Sequence, residues 1–192
     1  AASNNTLGIV YKHTGRTNQA EASFEKVLSI RRQLAEANPG SVEYECDLAK
    51  AHHNLAELYS ATNRTKEADA GYQHALRIWE KLLSDHPRRP DFRYALAKTL
   101  SNLGVVYEAT RRPNDAEAAY QRALEIDQKL TEEFPDASTY QDDLADTLSS
   151  LGILYRATAR LEQAETAYRR ALAIEQKLTQ EQPDVLEFAS AH

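Results

Sequence analysis

Three histidines and one glutamate form the densest group of metal-ligating side chains in the sequence. His52, His53 and His74 lie near Glu57, and in a helix His53 and Glu57 would be one turn apart on one face. Zinc sites need at least three converging protein ligands. A third ligand on that face is not evident from the spacing. A helical metalloprotein is therefore the weakest hypothesis we consider, and we expect no metal and no cofactor.

Catalytic patterns are missing from the sequence. It contains no nucleophile spaced with a base, no glycine-rich phosphate loop and no paired-carboxylate motif. We therefore expect a protein that is not an enzyme.

Composition narrows the classes of partner. With 23 Lys and Arg against 29 Asp and Glu, the net charge is −6. A chain this acidic lacks the basic surface that nucleic acid binding needs. Apolar runs are too short to cross a bilayer, and no signal pattern precedes them. The single cysteine, Cys46, cannot form an internal disulfide. We expect a cytoplasmic protein that binds neither nucleic acid nor membrane.

Arginines recur beside acidic residues at a spacing of 48. The arginines are Arg16, Arg64, Arg112 and Arg160, and the acidic residues are Glu21, Asp69, Glu117 and Glu165. Such a ladder could recognise phosphates or carboxylates from a partner. We favour the alternative that each arginine is engaged within its turn by an acidic neighbour or by helix-end carbonyl groups.

The whole sequence repeats with this period of 48 residues. Ten columns are identical in all four copies, and they begin at Ala1, Leu7, Tyr11, Thr14, Arg16, Ala20, Leu28, Ile30, Leu34 and Pro39. Matches of this number do not arise by chance from ordinary composition. We predict one solenoid domain over residues 1–192, divided into units at 1–40 with a truncated first helix, 41–88, 89–136 and 137–184. Residues 185–192 would begin a further unit.

Apolar spacing within each unit predicts two helices of about 20 residues. The predicted spans are 42–62, 66–85, 90–110, 114–133, 138–158 and 162–181. Prolines such as Pro39 and Pro87 follow the second helices, because proline disfavours helical geometry in the residue before it. Gly15 and Asn63 suit the left-handed residue that ends the first helices, whereas Arg111 and Ala159 suit it less well.

Three glycines, Gly8, Gly104 and Gly152, fall in the middle of first helices, with Ala56 at the fourth position. Glycine in a helix costs about 1 kcal/mol relative to alanine, so a packing reason is required. We predict close approach of the two helix backbones of a unit.

With these features the units resemble the tetratricopeptide repeat over essentially the whole chain. The matching residues are Leu55, Ala56, Tyr59, Ala68, Tyr72 and Ala75 in the second unit, and Leu103, Gly104, Tyr107, Ala116, Tyr120 and Ala123 in the third. The resemblance implies an all-α, right-handed superhelical solenoid of antiparallel helix pairs. The usual period of 34 has grown by two turns in each helix. Long-helix variants of this kind are similar to repeats of kinesin light chains and of bacterial regulatory proteins, some of them associated with kinase domains.

The resemblance also implies a concave groove, made by the first helices, for an extended or helical peptide. The candidate partner-binding residues in its columns are Asn5, Ile9, Lys12, Lys50, His53, Asn54, Glu57, Lys98, Ser101, Asn102, Glu108 and Arg156. Asn54 and Asn102 occupy the place where groove asparagines in kinesin light chains and in O-linked N-acetylglucosamine transferase hold peptide backbones. A carboxamide can both donate to and accept from an extended main chain.

Trp79 is the most distinctive single residue. Its equivalents Arg31, Asp127 and Glu175 are charged, which predicts a solvent-facing column and an exposed Trp79. Exposed tryptophan is enriched at binding hot spots, so Trp79 is a further candidate for partner binding.

Two functions fit these features. The first is a non-catalytic scaffold that presents its groove to a protein or peptide segment. The alternative is a self-assembly or spacer module of a larger bacterial regulatory protein. Because a solenoid needs polar capping units, uncapped ends would stack end to end in a homo-oligomer.

Overall fold

The computed structural model describes residues 2–181, which form eight helices and no strand. The helices are α1 Ala2–His13, α2 Thr17–Ala37, α3 Val42–Ala61, α4 Thr65–Asp85, α5 Pro90–Ala109, α6 Pro113–Glu133, α7 Ser138–Ala157 and α8 Leu161–Glu181. The six predicted helices are confirmed to within one residue at each end. The predicted start of a further unit at 185–192 lies outside the described residues. None of the described helices combines the length and apolar character that a membrane span requires.

The same tight turn joins the two helices of every unit. Its left-handed residue is Gly15 (φ 71°), Asn63 (φ 59°), Arg111 (φ 58°) or Ala159 (φ 61°). In the second unit the backbone N–H of Arg64 donates to the carbonyl oxygen of Tyr59 at 2.8 Å, and Thr62 Oγ1 donates to the carbonyl of Leu58 at 2.9 Å. Equivalent bonds recur in the other three units. These bonds hold the turn even where the left-handed residue is arginine or alanine.

Consecutive helices pack against one another in chain order, so the molecule is an all-α solenoid of helix pairs. In addition, α5 contacts both α3 and α7, whereas no contact of comparable extent joins α4 to α6 or α6 to α8. In a curved stack, elements on the inner side approach one another more closely. The first helices therefore form the inner wall, and we call the exposed face of α1, α3, α5 and α7 the groove.

Each mid-helix glycine makes room for an aromatic ring of the second helix. A Cβ atom at Gly152 would lie 2.6 Å from the ring of Tyr168, and one at Gly104 would lie less than 3.0 Å from the ring of Tyr120. Gly8 stands in the same relation to Phe24. The predicted reason, close approach of two backbones, is therefore wrong in these three units, because the space is occupied by a ring.

The second unit solves the same packing problem differently. Its first helix carries Ala56, and the facing position in the second helix is Gly71, where a Cβ would lie 2.8 Å from the Cβ of Ala56. The third unit has the reverse residue types in these two columns, Gly104 in place of Ala56 and Ala119 in place of Gly71. In both units one of these two positions is glycine and the other is alanine.

The recurring arginines connect each unit to the unit before it. Arg112 Nη1 donates to Asp69 Oδ2 at 3.1 Å, and Arg160 Nη1 donates to Glu117 Oε1 at 2.8 Å. Arg64 contacts Glu21 in the same way. The guanidinium groups of Arg64, Arg112 and Arg160 also stack on the tyrosines of their own turns, 4.1, 4.1 and 4.5 Å from the ring centroids. The prediction of a local acidic partner is confirmed for Arg64 with Glu67 and for Arg112 with Asp115, whereas the partner common to all three arginines lies in the preceding unit.

The prediction that Trp79 is exposed is wrong. Trp79 is 2% exposed, and its ring centroid lies 5.9 Å from that of Phe92 in the next unit. Its column faces the first helix of the following unit, where Asp127 is buried and Arg31 is half-buried, whereas Glu175 in the last described helix is exposed. Arg31 donates to the carbonyl oxygen of Asp47 at 2.8 Å, and Asp127 is 2% exposed. Charge in this column marks a polar junction between units.

Candidate functional site

Two cavities of about 390 Å³ each lie along the groove. The central cavity, between the second and third units, is lined by Lys50, His53, Asn54, Glu57, Trp79, Asp91, Tyr94, Ala95 and Lys98. The acidic cavity, between the third and fourth units, is lined by Tyr94, Lys98, Ser101, Asn102, Val105, Asp127, Asp143, Asp146, Thr147, Ser149, Ser150 and Ile153. Tyr94 and Lys98 border both, so the cavities are adjacent along one wall.

A hydrogen-bond network fixes the tautomer of His53 in the central cavity. Thr99 Oγ1 donates its only proton to the carbonyl oxygen of Ala95 at 2.7 Å, so it must accept from His53 Nδ1 at 3.1 Å. His53 Nε2 is then the unprotonated nitrogen, and it accepts from Asn102 Nδ2 at 3.3 Å. Burial lowers the pKa of His53 to about 4, which agrees with a neutral ring.

This network predicts a loss of stability in mild acid. The folded-state pKa of His53 lies below the unfolded value of 6.5, so the unfolded state binds more protons between those two pH values. The stability contribution of neutral His53 is complete above pH 6.5 and is lost as pH falls towards 4. Between pH 7.5 and 4.5 we expect the His53→Gln variant to lose roughly 2 kcal/mol less stability than the native chain in urea unfolding. Parallel pH profiles of the two proteins would contradict a His53 ring that is kept neutral by burial.

The two groove asparagines each use their amide group to link units. Asn54 Nδ2 donates to Asn5 Oδ1 at 3.0 Å, in the same way that Asn102 donates to His53. Their carboxamide oxygens have no partner within residues 2–181. Each therefore offers a fixed acceptor to the groove.

The acidic cavity differs from its neighbour in charge. Asp127, Asp143 and Asp146 line it, with Lys98 as the one lining cation among the described residues. Burial raises the pKa of Asp127 to about 7, an effect that Thr147 opposes by donating to Asp127 Oδ2 at 2.9 Å. Burial also raises the pKa of Asp143, despite a hydrogen bond from Tyr94.

The other predicted residues lie along the groove outside both cavities. Lys12 Nζ forms an ion pair with Glu57 at 2.8 Å, so these two charges neutralise each other across the first junction. Glu108 accepts from the hydroxyl of Tyr120 at 2.6 Å. Asn5 accepts from Asn54 as above. Two more residues, Ile9 and Arg156, have exposed side chains.

The sequence reasoning missed six cavity residues, of which Tyr94, Asp143 and Asp127 contribute most to the chemistry of the site; the other three are Asp91, Ala95 and Thr147. Tyr94 and Asp143 lie one turn before groove positions Lys98 and Asp146, within the added length of the first helices. Extending the spacing of three or four residues backwards by one turn would have found both. Asp127 was assigned to a solvent-facing column because most residues of its column are charged, which is also why Trp79 was predicted to be exposed.

The histidines do not form one site. His52 stacks on His74 with ring centroids 4.9 Å apart, whereas His53 lines the central cavity. Within residues 2–181, no three His, Cys, Asp or Glu side chains are placed to hold a metal ion.

Known proteins with this architecture include several solved structures. BtubC (BKLC) from P. vanneervenii is 26% identical, with a TM-score of 0.73 over 92% of this chain and 63% of that one. The apo form of RapI is 18% identical, with a TM-score of 0.64 over 91% of this chain and 42% of that one. MamA is 16% identical, with a TM-score of 0.50 over 91% of this chain and 97% of that one. This chain therefore spans less than two thirds of BtubC and of RapI.

Sequence comparison identifies the repeat itself. Models of the tetratricopeptide repeat match residues 47–129 and, separately, residues 1–39 and 144–184. No curated protein matches this chain significantly. Proteins built from these repeats are generally non-catalytic scaffolds for protein interaction. By the matched repeats, the helix-pair stacking and the solved structures together, this chain belongs to the tetratricopeptide repeat family.

Proposed function

We propose that the groove binds an extended or helical segment of another protein, laid across α3, α5 and α7. The observation that carries this proposal is the pair of adjacent cavities on the inner wall. Cavities of this volume fall within the range of ligand sites. No catalytic step is proposed.

Polar and apolar groups in the groove suit a peptide. The carboxamide oxygens of Asn54 and Asn102 are held by inter-unit bonds and can accept from a peptide backbone. Val105 is 48% exposed and Ile153 is 46% exposed, at equivalent positions of neighbouring units. These two side chains can make apolar contacts with a bound peptide, because exposed apolar patches mark interaction sites.

Affinity capture from source-organism lysate would test groove binding with a charge placed in the groove. We expect the Val105→Glu variant to lose a partner that the native chain captures, with at least tenfold weaker binding when the identified partner is titrated. Ala118→Glu adds the same charge to an exposed position of α6, outside both cavities, and should retain the partner.

The Asn54→Ala, Asn102→Ala double variant tests the asparagine acceptors after its helicity has been checked. A partner that binds the native chain, Val105→Glu and this double variant equally would place the interaction outside the groove and overturn the proposal.

Self-association is a second candidate function, favoured by large apolar side chains that stay exposed on α1 and α8. Leu7 and Val10 are each 44% exposed, and Leu161 and Leu172 are 66% and 52% exposed. Light scattering at high protein concentration should then show oligomers that the Leu161→Arg, Leu172→Arg variant dissociates. A strictly monomeric native chain would exclude this second function.

A further inference from the structure

The carboxylates of the acidic cavity form no ion pair among the described residues. None of Asp127, Asp143 and Asp146 forms an ion pair with any residue in the range 2–181. Asp127 comes from α6, whereas Asp143 and Asp146 come from α7, so the cluster spans the junction of the third and fourth units. Lys98, at the border with the central cavity, is not within ion-pair distance of them.

Asp127 is fully buried, and Asp143, which is half-buried and accepts from Tyr94, has one buried oxygen without a partner among the described residues. Asp127 is 2% exposed, and only its Oδ2 has a partner, the Thr147 hydroxyl at 2.9 Å. Asp143 Oδ2 is buried with no hydrogen-bond partner. Burying a charge is unfavourable unless it is paired, so the unpartnered Asp143 oxygen beside the buried Asp127 carboxyl group indicates a missing donor.

The first junction shows which donor fits between these two positions. Arg31 and Asp47 are the first-junction equivalents of Asp127 and Asp143, 96 residues earlier in the chain. There Arg31 Nη2 lies 3.3 Å from Asp47 Oδ2, and Arg31 Nη1 donates to the Asp47 carbonyl oxygen at 2.8 Å. A guanidinium therefore occupies the place where the third junction has a second carboxylate.

The second junction provides a contrast. The same two positions hold Trp79 and Ala95, an apolar pair that needs no counter-ion. Only the third of the three described junctions has like charges at these positions, beside an open cavity of about 390 Å³.

We propose that the acidic cavity binds the guanidinium group of an arginine side chain in the partner segment, between Asp127 and Asp143. This inference rests on the proposed function, since the arginine belongs to a segment that lies in the groove. The bound side chain restores between two molecules the pairing that Arg31 and Asp47 make within one. Its planar fork of N–H groups matches carboxylate geometry, which a lysine ammonium does not reproduce.

The test uses two acetylated, amidated heptapeptides of alanine with one central residue, arginine or its neutral isostere citrulline. Binding to the whole chain is followed by NMR shifts of the backbone amides of residues 98–102 and 143–147. We expect the arginine peptide to bind at least tenfold more tightly than the citrulline peptide. In the Asp127→Asn, Asp143→Asn double variant the arginine peptide should lose at least tenfold in affinity, with the citrulline peptide unchanged.

A second variant tests the same idea without neutralising the cavity. Asp127→Arg rebuilds the first-junction pair inside the third junction, so it should raise the midpoint of thermal unfolding and abolish binding of the arginine peptide. Equal binding of both peptides, no binding of the arginine peptide, or unchanged binding to Asp127→Arg would each overturn the proposal. If the inference fails in any of these ways while Val105→Glu still releases a captured partner, groove binding stands and only the arginine assignment falls.

Discussion

Replacing Trp79 with alanine is expected to lower the free energy of unfolding by about 3–5 kcal/mol, the cost usual for a fully buried aromatic side chain. Trp79 is 2% exposed and packs against Phe92 across the junction between α4 and α5. In a solenoid each unit is stabilised only by its neighbours, so loss of one junction weakens the array at one point. We therefore expect urea unfolding of Trp79→Ala to separate into two transitions, one for each half of the chain.

Hydrogen exchange locates the effect of Trp79→Ala. Protection should fall most in α4 and α5 and least in α7, where Leu154 is 2% exposed within its own unit. Trp79→Phe keeps an aromatic ring at the junction and should cost less than half as much. Uniform loosening of all helices, or a stability change below 1 kcal/mol, would contradict a junction held together by Trp79.

Gly104→Ala is expected to destabilise the chain by about 1–3 kcal/mol, although alanine is the better helix former by about 1 kcal/mol. The added Cβ would lie less than 3.0 Å from the ring of Tyr120, which is completely buried. The hydroxyl of Tyr120 also donates to Glu108 at 2.6 Å, so the ring cannot move without straining or breaking this bond. Thermal and urea unfolding of the variant measure the loss.

The second unit provides the matched rescue. It carries Ala56 opposite Gly71, so adding Ala119→Gly to Gly104→Ala recreates that arrangement in the third unit. We expect the double variant to recover part of the lost stability, although Ala119→Gly alone should destabilise a helix by about 1 kcal/mol. Additive losses in the double variant would mean that the two positions do not share one packing space.

Most of the fold could be predicted because the same pattern of apolar and turn residues recurs four times in the sequence. A turn that is ambiguous in one unit, such as the one at Ala159, has the recurring Thr158 and Arg160 around it. Their hydrogen bonds define the turn more strongly than the residue with positive φ does. Recurrence therefore fixed the helix ends to within one residue.

Inferring the environment of a residue from the equivalent residues of other units failed where the units differ. Trp79 was predicted to be exposed because its equivalents are charged, but at the junctions the charged Asp127 is buried and the charged Arg31 is half-buried. A column shares its position in the fold across units, whereas its chemical environment depends on the next unit. Groove columns carried over from shorter repeats likewise began one turn after Tyr94 and Asp143, at Lys98 and Asp146. The charge of the acidic cavity could not be seen until that extra turn was placed.

The changing junctions also bear on how the chain finds its correct order during folding. Neighbouring repeats of similar sequence are prone to pair with the wrong copy, within one chain or between two chains. A unit displaced by one place would set Arg31 against Ala95, or Trp79 against Asp143, and either exchange buries an unmatched group. The three junctions thus make the pairing of units specific, because each junction is stable with its own neighbouring unit and unfavourable with any other.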